Sequence, residues 1–249
     1  MPDPLSHSPN APEQDQRPRT VVVLQYAGIG DLIWHIPYFK AVAAQSQGQR
    51  ITLLAQPSTL ARHFLGAEPW IERVIDHDHR PRRTEKRKGK HAGLLGMWRM
   101  ARELRQGRFD RIVLFSGRPS RGLIAALSGI PQRLGFGYNR LQRLFLNKPP
   151  YIERYRGPSL AFYPEASAFA VAQGFCDAPI VPRLDLPAEQ VSKMTARLAN
   201  LPRPLYAFAI GTSETYKQWG AQNFADLACA LIAEGGGVML LGGPGETAL

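Results

Sequence analysis

The stretch VVVLQYAGIGDLIWHIPYFKAV, Val21 to Val42, constrains the fold more than any other part of this chain. A short β-branched apolar run ending in glycine reads as a strand buried on both faces of a parallel sheet. The glycines at Gly28 and Gly30 then make a tight turn, and DLIWHIPYFKAVAAQ follows with helical spacing of Leu32, Ile36, Phe39 and Ala43. Pro37 inside that segment predicts a kink or a late helix start. As a dinucleotide fingerprint the turn fails, because the third glycine of G-x-G-x-x-G is Ile33 and the second strand ends in Gln56 and Pro57, where an acidic ribose ligand is expected. The acid behind the turn, Asp31, has two readings: a first-turn carboxylate that stabilises the helix by about 0.5 to 1 kcal/mol, or a general base at the lip of a cleft.

The pattern repeats. RITLLAQP, IERVIDHD, RIVLFSG and PQRLGF read as further strands, separated by the helical pieces STLARHFLGAEPW, LLGMWRMARELRQGRFD and RGLIAALSGI. The apolar positions taken for the basic helix are Leu95, Trp98 and Leu104. Strand and helix alternating at these lengths predict a doubly wound α/β domain over residues 20–180. Residues 1–19, rich in Pro, Ser, Asp and Gln and without an apolar segment, are expected to be a disordered leader and not a signal peptide. After VPRLDLPAEQ the α/β pattern restarts in PRPLYAFAIG, GAQNFADLACALIAEGG and GVMLLGGPGE, so residues 181–249 are expected to begin a second Rossmann-like unit across a cleft from the first. Two parallel strands and their helices are too few to close a core, so this C-terminal domain is expected to be incomplete, the chain being a fragment of a longer protein.

Charge narrows the partners. The formal net charge is +11 and the pI near 10.0, which favours an anionic partner or surface. RPRRTEKRKGK, Arg80 to Lys90, holds seven basic residues against one acid, and charge alone leaves a solvated loop and a ligand-binding loop equally open. No apolar run is long enough to cross a bilayer. The two cysteines, Cys176 and Cys229, have no metal-ligand spacing and suit a reducing compartment, so a cytoplasmic location is expected. Asp76 to His79, DHDH, has ligand-type residues, but neighbours on an extended segment point to opposite faces and no second cluster completes a site. His35, one turn after Asp31, either orients the acid or covers the helix, and the second is favoured. In IGTSETYKQWG, hydroxyl residues and Lys217 follow a strand and can offer donors to phosphate, although the spacing is not that of a P-loop. Glu246 follows the last strand, where it can accept from ribose hydroxyls or simply belong to a βα turn.

Taken in order, GIGDLIWHIPYFKAV, PWIERVI, RFDRIVLFSGRPSRGLIAALSG, RLGF, IGTSETYKQW and VMLLGGPGE resemble glycosyltransferase family 9, the bacterial lipopolysaccharide heptosyltransferases. The resemblance implies a GT-B fold, two Rossmann-like domains facing a cleft, and an inverting, metal-independent transfer of heptose or a related sugar from an ADP-activated donor to a lipopolysaccharide core acceptor, with no cofactor. It implies Asp31 as catalytic base, with Gly28 and Gly30 shaping its turn. Thr212, Ser213 and Lys217 fall at the donor diphosphate, where Lys217 would stabilise the leaving ADP. Glu246 falls at the ribose. Arg80, Arg82 and Arg83, with Arg118 and Arg121, become candidates for the carboxylates or phosphates of an anionic glycolipid acceptor, lipid A with Kdo or core sugars. A cytoplasmic enzyme peripheral to the anionic inner membrane is implied, with no specific nucleic-acid partner. The family's Asp-Thr-Gly donor segment is expected beyond Glu246, Gly220 stands where proline is common, and Trp34 and His35 beside the acid bear on acceptor identity. The alternative is a truncated or inactive relative that binds anionic glycolipid or a membrane surface.

Overall fold

The computed structural model describes residues 15–79, 86–184, 186–212 and 217–243. The chain divides into two compact units, Met1–Leu184 and Asp185–Leu249. In the first, β1 (Thr20–Leu24), β2 (Ile51–Ala55), β3 (Ile71–Asp76), β4 (Arg111–Phe115) and β5 (Gln132–Gly135) form one sheet in the order β3-β2-β1-β4-β5, every pair parallel. Its helices are α1 (Ile29–Ala44), α2 (Ala61–Leu65), α3 (Gly93–Gln106), α4 (Pro119–Leu127), α5 (Arg140–Arg143) and α6 (Pro164–Ala172). The segment STLARHFLGAEPW yields less helix than its sequence suggests: a 3-10 turn over Pro57–Thr59, then α2, with Leu60 between them in the left-handed region at φ 54°.

Burial explains why these segments are strands. Every residue of β1, β2 and β4 is buried, whereas β3, at the edge, is buried at Ile71 and Val74 only. A strand covered on both faces needs apolar side chains at successive positions, which is what VVVL supplies. Val22 and Leu24 of β1 point to one core, with Leu32, Ile36, Phe39 and Val42 of α1 and Phe169 and Ala170 of α6. Val21 and Val23 point to the other, with Met100 and Leu104 of α3 and Ile124 and Ala125 of α4. Phe115, fully buried, meets Phe39, Phe136 and Phe169 edge-on with ring centroids 5.3, 6.2 and 5.4 Å away.

Several expectations change. The helix after the glycine turn does not start late: α1 runs from Ile29 through Pro37 to Ala44. In α3 the core stripe is Gly96, Met100, Ala101 and Leu104, while Leu95 and Trp98 face solvent. The choice is steric. A Cβ at position 96 would lie 2.1 Å from the His91 carbonyl carbon, so the helix seats its glycine against that backbone and turns Leu95 outward. Residues 15–19 are bound to the fold, not loose: Asp15 accepts from the Gly48 amide at 2.6 Å, and Arg19 donates to Glu72 at 2.7 Å and to the Gly107 carbonyl at 2.9 Å.

The second unit holds α7 (Ala188–Leu198), β6 (Leu205–Ala209), α8 (Ala221–Ala233) and β7 (Gly237–Leu241), with β6 and β7 paired in parallel. Among its described residues only Gly236 and Gly237 are buried, so no side-chain core closes within them. No helix among the described residues is long and apolar enough to cross a membrane.

Phe115→Ala removes the ring that joins three aromatic neighbours. We expect a loss of about 3 to 5 kcal/mol of unfolding free energy, read from urea denaturation, with the far-ultraviolet spectrum preserved.

Candidate active site

In a sheet ordered β3-β2-β1-β4-β5 the chain reverses direction between β1 and β4, and the loops leaving those two strands diverge to opposite faces. The C-terminal edge at such a reversal is where open α/β sheets bind ligands. Here it carries Gln25 to Asp31 after β1 and Ser116 to Arg121 after β4. The floor is tied together: the Ser116 hydroxyl donates to the Gln25 side-chain oxygen and accepts the Arg118 amide at 3.1 Å, the Gln56 side chain donates to the Gln25 carbonyl at 2.9 Å, and Gln142 donates to the Ser116 carbonyl at 2.7 Å.

Asp31 is the third residue of α1 and half-exposed. Its Oδ2 accepts the Gly28 amide at 3.1 Å, which satisfies one of the free donors at the helix start. The capping role is therefore real, but it occupies one oxygen. Burial pushes the carboxyl above its ordinary range, only partly offset by the Gly28 hydrogen bond, and a raised pKa makes a carboxylate a stronger proton acceptor. Gly28 has an ordinary extended backbone, φ −88° and ψ 151°, yet a Cβ there would come within 2.9 Å of Asp31 Oδ2. Gly30 lies within the first turn of α1 and has nothing within 4 Å of where its Cβ would be, so space inside the fold does not require glycine there.

His35 does not cover the helix. It is fully buried, and its Nδ1 donates to the Asp31 carbonyl at 2.6 Å, because that oxygen can only accept. Its Nε2 therefore carries the lone pair and has no hydrogen-bond partner among the described residues. Burial pushes the imidazole down to about 4. Tyr163 packs on it at 4.6 Å and Tyr26 at 5.5 Å, and those two tyrosine rings lie 5.5 Å apart. Burial raises both hydroxyls' pKa values. An aromatic wall thus stands behind the acid. Tyr163, at the start of α6, gives no sign of this in the sequence, because more than a hundred residues separate it from Asp31.

On the other side of the reversal Arg121 is 5% exposed. It donates to His79 Nε2 at 2.9 Å and to His77 Nε2 at 3.4 Å, and the two imidazoles stack at 4.6 Å. Both rings accept, so both are neutral at these nitrogens. His77 is pushed down to about 2 by burial and then by Arg121, and burial lowers Arg121 itself to about 10. The two-residue spacing within DHDH places His77 and His79 together on the Arg121 guanidinium. Arg118, the residue before α4, is exposed. The described part of the basic loop is anchored: Arg87 pairs with Asp78, and Lys90 pairs with Glu103 at 2.6 Å.

Of the other predicted site residues, Thr212 and the exposed Lys217 belong to the second unit, and Asp31 to the first. Arg80, Arg82, Arg83, Ser213 and Glu246 lie outside the described residues.

Solved structures share this fold at low identity. A glycosyl transferase family 9 protein from Veillonella parvula aligns with TM-score 0.67 and 20% identity over 95% of this chain and 65% of its own. E. coli ADP-heptose LPS heptosyltransferase II gives 0.61 and 20% over 92% and 66%. E. coli heptosyltransferase WaaC, solved with ADP-2-deoxy-2-fluoro heptose, gives 0.60 and 17% over 92% and 71%. The architecture is α/β of the GT-B type, and the chain spans about two thirds of the length of these proteins. The sequence model of glycosyltransferase family 9 (heptosyltransferase) matches residues 97–248, and the chain belongs to that family. Asp31 precedes the matched range. No curated protein matches the sequence.

The histidines set an acid response. His35 and His77 are neutral in the fold and take up protons on unfolding, so their contribution is complete above pH 6.5 and lost as the pH falls toward about 4 and about 2 respectively. His91, also lowered by burial, acts in the same sense. Urea titrations from pH 6.5 down to 4.5 should show stability falling by about 1.4 kcal/mol per pH unit for each of His35 and His77. His35→Phe should remove one histidine's share of that slope.

Proposed function

We propose that this chain acts in a sugar transfer that moves heptose, or a related sugar, from an ADP-activated donor to a lipopolysaccharide core acceptor. The observation that carries the reading is the half-buried Asp31 carboxylate, with its raised pKa, at the strand reversal of a family 9 chain. Asp31 accepts the proton of an acceptor hydroxyl as that oxygen attacks the anomeric carbon. The bond to the diphosphate breaks with its electron pair leaving on ADP, so the anomeric configuration inverts. Lys217, with Thr212 and Ser213, receives the charge that develops on the leaving phosphate, and Glu246 holds the ribose. No metal takes part in these steps.

Acceptor recognition falls to Arg118 and Arg121, with Arg80, Arg82 and Arg83 from the basic loop. Arg121 is suited to an anion because its buried guanidinium bonds neutral imidazoles and forms no ion pair with a carboxylate among the described residues. It keeps its full charge for a carboxylate or phosphate of the glycolipid. The protein works in the cytoplasm, peripheral to the inner membrane, where such an acceptor is presented. The boundary between an acceptor domain, residues 20–180, and the start of a nucleotide-sugar domain, residues 181–249, follows from the same reading.

The trial is ADP release from ADP-heptose with a core glycolipid acceptor, using the chain together with any residues its gene continues into. Asp31→Asn keeps an oxygen for the Gly28 amide but cannot take the proton, so kcat should fall by about 10² to 10⁴ with donor binding retained. Full activity in that variant would refute Asp31 as base.

A further inference from the structure

The first two turns of α3 invert the usual pattern of a surface helix. Leu94, Leu95 and Trp98 are 83%, 73% and 56% exposed, while the residues beneath them, Gly96 and Met100, are buried. At spacings of three and four, Leu94 and Leu95 lie beside Trp98 on the outward surface. Arg102 sits one turn further along, its guanidinium 5.7 Å from the Trp98 ring centroid, and Arg99 is exposed beside it. α4 packs against both α3 and α5; α5 adds the exposed Leu141 between Arg140 and Arg143, and Leu144, also exposed, directly follows it. The N-terminal end of α3 and the whole of α5 lie at the C-terminal edge of the sheet: His91, two residues before α3, bonds the Asp78 carbonyl just after β3, and Gln142 bonds Ser116 after β4.

Charge around these side chains has one sign. From Lys86 to Gln106 there are seven basic residues and one acid, Glu103, which is already paired with Lys90. From Arg118 to Leu144 there are five arginines and no acid. A surface for another protein carries charges of both signs at its rim, whereas leucine and tryptophan set among arginines match an anionic bilayer. Apolar side chains enter the acyl boundary, tryptophan sits at headgroup depth, and arginines meet the phosphates.

We propose that the α3 to α5 face of the first unit is the surface by which this protein docks on anionic phospholipid, with Leu94, Leu95 and Trp98 as the inserted side chains. This rests on the reading that the acceptor is held in a membrane, and it explains how the edge carrying Asp31 and Arg121 is brought to the headgroup layer. The inserted side chains are none of the residues placed around Asp31, so insertion and chemistry fail separately.

The test is flotation of the intact chain with vesicles of phosphatidylethanolamine and phosphatidylglycerol, against vesicles of phosphatidylcholine alone. Binding should require the anionic lipid and weaken with salt. Brominated acyl chains should quench Trp98 fluorescence, measured as the difference between the unaltered chain and Trp98→Phe. The triple variant Leu94→Ser, Leu95→Ser, Trp98→Ser, altered only at exposed positions, should bind anionic vesicles at least about tenfold more weakly, with an unchanged melting temperature and unchanged transfer to an acceptor dispersed in detergent. Asp31→Asn should float as the unaltered chain does, whatever its activity. Equal flotation on neutral vesicles, undiminished binding of the triple variant, or a Trp98-dependent dimer in sedimentation would overturn the assignment.

Discussion

The burial of β1 on both faces, between β2 and β4, is the constraint from which the rest of the first unit follows. A strand in that position exposes no side chain, so four of its five residues are apolar and the fifth, Thr20, gives its hydroxyl to the Pro18 carbonyl, while its backbone pairs in parallel on both sides. Its neighbours then connect through helices on opposite faces. The reversal that this creates sets the loops after β1 and β4 side by side at one edge. Asp31 and Arg121 owe their proximity to the same edge to that topology, although ninety residues separate them.

The two faces have separate chemistry. On one, α1 and α6 enclose a cluster of aromatic rings with a single buried imidazole, and the acid stands at its rim. On the other, aliphatic side chains fill the core and arginines crowd the outer surface. Asp31 gains from the first arrangement because the low-dielectric cluster behind it disfavours its charged form. Arg121 illustrates the reverse case: a buried cation held by the lone pairs of two imidazoles, with no carboxylate paired to it among the described residues.

How much of this could be read from the sequence depended on whether neighbours or distant residues decide it. The strands were legible because β-branched runs ending at glycine carry their own signal, and so was the acid at the start of α1. The facing of α3 was not, since Leu95, Trp98 and Leu104 keep helical spacing as well as Gly96, Met100 and Leu104 do, and contact with the His91 backbone decides between them. Nor was the environment of His35, whose ring partners Tyr163 and Phe115 come from remote segments. The bond from Arg121 to His77 and His79 joins residues more than forty positions apart, and the histidine spacing by itself pointed to no partner.

Gly28 and Asp31 illustrate a constraint on what can change. The absent Cβ leaves the volume that the carboxylate oxygen uses to reach the Gly28 amide. A larger residue at position 28 makes the carboxylate oxygen give way, and a residue at position 31 without an acceptor hands that exposed amide to water. The constraint runs in one direction: the acid at position 31 holds position 28 to glycine, and in descendants of this chain that have lost the acid the first glycine is free to drift.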